Sequence, residues 1–293
     1  MSSKLNPVAQ LILLAVTAIW GWTFVIVKEA LADMGVFTFL FYRFSIAFLI
    51  LFFIFWPRLR TAERRLWIKG AIIGITLFLG YWAQTAGLDY TTATKSAFIT
   101  SLSVVLVPIF GVFLFRDRVP NWAWIGAFVS AIGLGLILFG NVAEQLDINL
   151  GDILTLGCAI AFAFQILLIS HFTRAINYIP ILVAQIGTVA LLSGIGMTIT
   201  EGVTLPRTAL SWEAILITGV LATAFAFWAQ TRYQPESSAT RTAIIFATEP
   251  VFAAAFGFLL LNERLAELQL IGAALIVVAV FVSQIQPKHK QRV

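Results

Sequence analysis

Charged residues are sparse along this chain, and between them run apolar stretches long enough to cross a lipid bilayer, each needing roughly 20 residues as a helix. Ten such stretches can be marked: Val8–Val27, Val36–Phe55, Trp67–Leu88, Ser96–Phe115, Trp122–Phe139, Ile153–Ser170, Ile179–Ile199, Ala214–Thr231, Thr242–Leu261 and Leu268–Ile285. The connections are short, and none holds a soluble domain. Strands of alternating polarity, the mark of a membrane barrel, are absent, so a helical bundle is the remaining spanning architecture. The pattern predicts an all-α integral membrane protein with ten transmembrane helices. The first stretch is long and carries Trp20-Gly21-Trp22-Thr23-Phe24 where a signal peptide would carry small residues, so it is expected to stay in the mature protein.

Composition agrees with the pattern: of 293 residues, 60% are apolar and 11% charged, against roughly 45–50% and 25% in soluble domains. Two His and one Cys leave no basis for a disulfide framework, a zinc cluster or a haem attachment motif. No metal and no cofactor is expected. The net charge of +5 reports orientation more than nucleic-acid binding, since Lys and Arg concentrate on cytoplasmic loops. With the N-terminus inside, 14 of the 19 basic residues fall on the cytoplasmic side, including the cluster Arg58, Arg60, Arg64, Arg65 and Lys69. Both termini are therefore expected in the cytoplasm, the segment Asn141–Gly151 outside, and residues 287–293 as a cytoplasmic basic tail facing lipid headgroups.

The chain also repeats itself. Shifted by 146, residues 82–127 match 228–273 at 16 of 46 positions, with Trp82-Ala83-Gln84-Thr85 on Trp228-Ala229-Gln230-Thr231 and Gly111, Arg118 and Gly126 on Gly257, Arg264 and Gly272. One copy spans five helices, an odd number, so the second must cross in the opposite sense. Two inverted five-helix repeats follow, over residues 8–140 and 151–286, and inverted repeats are a transporter architecture because two similar halves can exchange conformations around a central site.

The residues that carry a family resemblance are Trp20-Gly21 with Thr23-Phe24 and Lys28, Arg43, Arg116-Asp117-Arg118 ahead of Gly126, and in the second copy Glu249-Pro250-Val251, Asn262-Glu263-Arg264 and Gly272. On these the chain resembles the drug/metabolite transporter superfamily, specifically proteins with two tandem EamA domains. The resemblance implies a secondary transporter in the bacterial inner (plasma) membrane, whose relatives include exporters of amino acids and other small metabolites. Nucleotide-sugar or other metabolite antiport is the alternative within the superfamily. Two departures stand out: Ala161-Phe162 lies near the place of Trp20-Gly21, and Ser103 stands where Glu249 would be expected.

Charges deep in a span are expensive and are functional candidates by default. Glu249, followed by Pro250, is a candidate proton carrier or partner for a substrate ammonium group; the competing reading is a structural hydrogen bond to a neighbouring helix. For Arg43, binding a substrate carboxylate competes with pairing to Glu249 and with snorkelling to headgroups. Gln84, Gln165, Gln185 and Gln230 should face the bundle interior, to meet substrate or to hold helices together. Pro108 and Pro250 are expected to interrupt the fourth and ninth spans, though not at equivalent positions. Trp20 and Trp22, with Thr23 between Trp22 and Phe24, are the aromatics expected at a cavity, while Cys158 reads as a small apolar residue. His171 and His289 stand alone near helix ends and no nucleophile–base pair is present, so an intramembrane enzyme is a remote alternative, as is a passive channel; no phosphate-binding loop is present, so ATP is not the direct energy source. The expected partners are a small-molecule solute, protons as a coupling candidate, and membrane lipid.

Overall fold

A computed structural model describes residues 7–139, 148–173, 176–261 and 266–283, and among these residues the secondary structure is entirely helical. Asn262, Glu263 and Arg264, the tail 287–293 and most of the 141–151 segment lie outside them. The helices are α1 (Pro7–Ala30), α2 (Val36–Leu59), α3 (Arg64–Leu88), α4 (Ala93–Ser101), α5 (Ser103–Phe115), α6 (Asn121–Phe139), α7 (Leu150–Phe172), α8 (Ile179–Gly196), α9 (Ala209–Gly219), α10 (Ala226–Tyr233), α11 (Ala239–Phe246), α12 (Glu249–Leu261) and α13 (Glu267–Ser283). A π-helical segment, Val220–Phe225, joins α9 to α10 into one rod, and a π turn, Met197–Glu201, extends α8. Continuous apolar sequence gives these helices no single core-facing stripe, and in lipid only an internally bonded backbone is tolerated.

Among the described residues each of the ten predicted stretches is largely helical, but not as ten equal rods. Among the described residues, seven helical spans are long and apolar enough to cross a membrane, while Asn121–Ile137 and Glu267–Ser283 are shorter apolar helices. The ninth predicted stretch is divided between α11 and α12. The protein is a multi-pass membrane protein.

Where the chain turns, polar side chains satisfy the helix ends. Thr92 caps α4 by accepting from the Lys95 amide and Ser238 caps α11 by accepting from the Arg241 amide, two positions related by the shift of 146. Asn149 and Asp152 form a capping box at the start of α7. Arg116, in the left-handed region at φ 58°, ends α5. Below, the end of the bundle from which α1 rises is the base, and the end it reaches is the rim. At the rim, Lys95 pairs with Asp152 at 2.6 Å, and Glu201 accepts from the Phe37 and Thr38 amides at 2.9 and 2.8 Å.

Glycines set the directions in which helices pass. A methyl on Gly133 would lie 2.6 Å from the Gly272 carbonyl and one on Gly272 2.5 Å from the Gly133 carbonyl, so the backbones of α6 and α13 touch and only Gly fits. Gly126 meets Ala279 and Ser283 on the same pair, which makes α6 and α13 antiparallel. On α8, Gly194 packs on Phe41 and Gly187 on Phe48 of α2, again antiparallel. In both pairs one member is the repeat equivalent of the other, and opposite directions are what an inverted repeat requires.

Candidate functional site

The fourth span of each repeat encloses the site through a helix break. In the first copy α4 stops at Ser101 and α5 restarts at Ser103; in the second α11 stops at Phe246 and α12 restarts at Glu249. Shifting by 146 carries α4's start, α5's start and α5's end onto those of α11 and α12, so the two broken helices are congruent. The interruption in the first copy is at Leu102, not at Pro108, which lies buried inside α5. Pro250 sits in the first turn of α12, where its missing amide donor costs nothing. Sequence reasoning tied the breaks to prolines and so missed their equivalence. Half-helix ends near the middle of a bundle are where transporters place their substrate sites.

Between the breaks lies a cavity of about 740 Å³ of empty space, part of it continuous with solvent. Arg43 and Glu249 are the two charged groups among its lining residues, and Ser101, Ser103, Thr23 and Gln84 are among the polar ones. Tyr81, Phe227, Phe246 and Trp20 supply aromatic walls. Trp20 stands edge-on to Phe246 at 5.1 Å.

Arg43, on α2, is 3% exposed. Its Nε donates to Thr223 Oγ1 at 2.8 Å and its Nη2 to the Tyr81 hydroxyl at 3.3 Å, while the guanidinium lies 4.7 Å from the Tyr81 ring centroid. Among the described residues no carboxylate pairs with it, and it does not pair with Glu249. A guanidinium has five N–H donors; two are spent on neutral hydroxyls, and the others remain beside the cavity. Thr223 belongs to the π-helical segment, as does Ala222, whose carbonyl accepts from the Trp20 indole at 2.9 Å. One irregular stretch thus anchors both an α1 and an α2 site residue, and π-bulges recur at functional sites. Nothing in the composition of Val220–Phe225 marked it in advance.

Glu249 opens α12, where the helix dipole favours a carboxylate. Gly21 makes this approach possible: a methyl there would lie 2.7 Å from the Glu249 carbonyl and 2.9 Å from the Ala253 amide. Thr17 on α1 and Thr248 share a hydrogen bond at 3.1 Å just below. Thr23 turns its hydroxyl to the Trp20 carbonyl at 2.9 Å. Trp22 is half-buried and is not among the cavity-lining residues.

The four glutamines separate. Gln84 lines the cavity and donates to Thr100 at 3.1 Å. Gln165 and Gln230 form part of its wall and bond each other, whereas Gln185 donates to Thr231 at 2.9 Å away from the cavity. Two residues not anticipated join this end: Gln234, four residues past Gln230, and Ser170. His171, expected to stand alone, lies 3.1 Å from the Asp117 carboxylate. Among the described residues no three metal-ligating side chains come together.

Comparison with known proteins agrees with this architecture. A solved crystal structure 17% identical in sequence superposes with a TM-score of 0.79, covering 95% of this chain and 96% of its own. An uncharacterized transporter of Archaeoglobus fulgidus is 37% identical over 275 residues, 94% of this chain and 85% of its own length. A probable amino-acid metabolite efflux pump of Escherichia coli is 25% identical over 303 residues, 92% of each. Residues 8–139 and 149–284 each match the EamA-like transporter family. Two matches spanning nearly the whole chain, on a helical bundle with congruent broken helices around one cavity, make this protein a transporter belonging to the EamA-like family.

Proposed function

We propose that this transporter exports amino acids or similar small amphipathic metabolites by alternating access. One observation carries the reading: a cation and a carboxylate, Arg43 and Glu249, line the same cavity without pairing with each other. A zwitterion offers each its complement, a carboxylate for the guanidinium and an ammonium for Glu249, and the aromatic walls suit an apolar side chain. A pyrophosphate-bearing solute would call for several buried cations, and the cavity wall supplies Arg43 alone. The basic residues Arg58, Arg60, Arg64, Arg65 and Lys69 cluster where α2 ends and α3 begins, at the base, which supports a reading with the base and both termini in the cytoplasm of an inner-membrane protein.

Counterflow in proteoliposomes tests the chemistry with three related solutes: L-leucine, 3-methylbutan-1-amine, which lacks the carboxylate, and 4-methylpentanoic acid, which lacks the ammonium group. Leucine should exchange best. Glu249→Gln should depress leucine and amine exchange and flatten any response to an imposed pH gradient, and Arg43→Gln should depress leucine and acid exchange. Failure of a full panel of amino acids to exchange, with the protein shown to be reconstituted, would sink the proposal; normal pH-dependent exchange by Glu249→Gln would return Glu249 to a structural role.

A further inference from the structure

The cavity is off-centre. On α3 its wall continues past Gln84 to Thr85 and Leu88 at the rim end. Shifted by 146 these become Gln230, Thr231 and Gln234 on the α9–α10 rod and the turn that follows it, and only Gln230 lines the cavity. The other two are sealed into a buried network at the base.

That network is a ladder of amides. Gln165 Nε2 donates to Gln230 Oε1 at 3.2 Å and Gln230 Nε2 to Gln165 Oε1 at 3.1 Å. Gln230 Nε2 donates also to Gln234 Oε1 at 3.0 Å, and Gln234 Nε2 donates to the Ile166 carbonyl at 2.6 Å and to Ser170 Oγ at 2.9 Å. Gln185 Nε2 ties α8 to the same rod through Thr231. None of these four glutamines is more than 2% exposed. The ladder therefore fastens the base end of the α10 rod to α7, while the corresponding stretch of α3 at the rim lines the cavity and carries Leu88 where the ladder has Gln234.

We propose that this ladder is the base gate of the transport cycle, a latch between α7 and α10 whose release opens the cavity toward the base. In an inverted repeat the alternate state closes the rim with the first copy's equivalents. There Gln84 keeps its amide, but Leu88 replaces Gln234 and no matching ladder can form through it. Closure at the base thus runs through an amide ladder that the rim cannot match through Leu88, and the protein rests with its base shut and its cavity extending toward the rim.

The test needs no substrate. Cys158 is the chain's one cysteine, so Cys158→Ala with Ser101→Cys provides a single reporter in the cavity wall. It is labelled with a membrane-impermeant methanethiosulfonate in vesicles of each orientation. Labelling should proceed faster from the rim side. Gln234→Leu, which installs the first copy's residue, should raise labelling from the base side about tenfold, as expected for losing several bonds of modest net worth. Ser170→Ala, which removes one acceptor, should act in the same direction but less, and decides the matter if Gln234→Leu does not insert. Base-side labelling within about twofold of the parent in the inserted variants would overturn the latch. Parent labelling that is faster from the base side would overturn the resting bias. Because the reporter reads accessibility alone, failure of amino-acid exchange leaves this result unaffected, and an opposite membrane orientation would exchange the vesicle type without altering which end responds.

Discussion

Helix α3 and the α9–π–α10 rod are equivalents in the repeat, share the Trp-Ala-Gln-Thr sequence, and do different work. Helix α3 is regular over 25 residues, and its glycines admit neighbours closely: a methyl on Gly74 would lie 2.8 Å from the Gln185 carbonyl, and one on Gly87 2.9 Å from the Gly151 carbonyl. In the rod the place of Gly74 is taken by Val220, which is 39% exposed and opens the π-helical segment. Both reach the cavity, α3 through Tyr81 and Gln84, but they pack by different means. Close packing serves α3, whereas irregular backbone in the rod supplies an acceptor carbonyl to Trp20 and a hydroxyl to Arg43.

The sharpest way to break this comparison is to make the rod regular. Deleting Leu221 removes the residue that a π turn accommodates beyond an α turn, and should rotate Thr223 away from Arg43; leucine counterflow should fall by at least about tenfold, the scale set by misplaced binding groups. Unchanged exchange would mean that the π segment is incidental. Thr223→Val is the next largest perturbation. It strips the acceptor from a buried guanidinium, and should raise KM for leucine about tenfold while leaving exchange of 3-methylbutan-1-amine within about twofold. Thr223→Ser should restore leucine, and equal damage to both solutes would show a packing defect rather than a lost position for Arg43. The smallest expected effect is on stability. Gly74→Leu should lower the midpoint of thermal unfolding in detergent by about 5 °C, while Val220→Leu at the equivalent lipid-facing position should leave it unchanged.

Much of this architecture was legible in the order of residues. The apolar stretches overlap each described α-helix because bilayer thickness imposes a length on them, and the shift of 146 exposed the duplication because helix-contact glycines and the Trp-Ala-Gln-Thr segment were retained in register. Arg43 and Glu249 stood out because charges in lipid are costly. What sequence could not reveal was which groups face one another. The helix breaks at Leu102 and at Ala247–Thr248 have no proline at the interrupting residue, so a search keyed to proline looked six residues too far along in the first copy. The π segment is built of Val, Leu, Ala, Thr, Ala and Phe, none of which signals a change of helical period. Trp20 and Trp22 looked alike in sequence, yet successive positions on a helix point about 100° apart, and only Trp20 reaches the cavity. Gln234 carried a faint signal, an amide one helical turn beyond Gln230. Ser170 and the His171–Asp117 contact had none, since each partner lies far away in the chain.

The meeting of α6 and α13 has a consequence of another kind. Gly133 meets Gly272, the repeat equivalent of Gly126, while Gly126 meets Ala279, the repeat equivalent of Gly133: this is the reciprocity of an isologous dimer interface, though here both faces belong to one polypeptide. Such a contact maps onto itself when the two copies trade roles. It is a seam that keeps the same contacts on either side. It is also a surface that two separate chains could share: a single five-helix unit, inserted into a membrane in both orientations, would present this seam to its own inverted copy, and the covalent link between the halves would then be a later convenience rather than a condition of assembly.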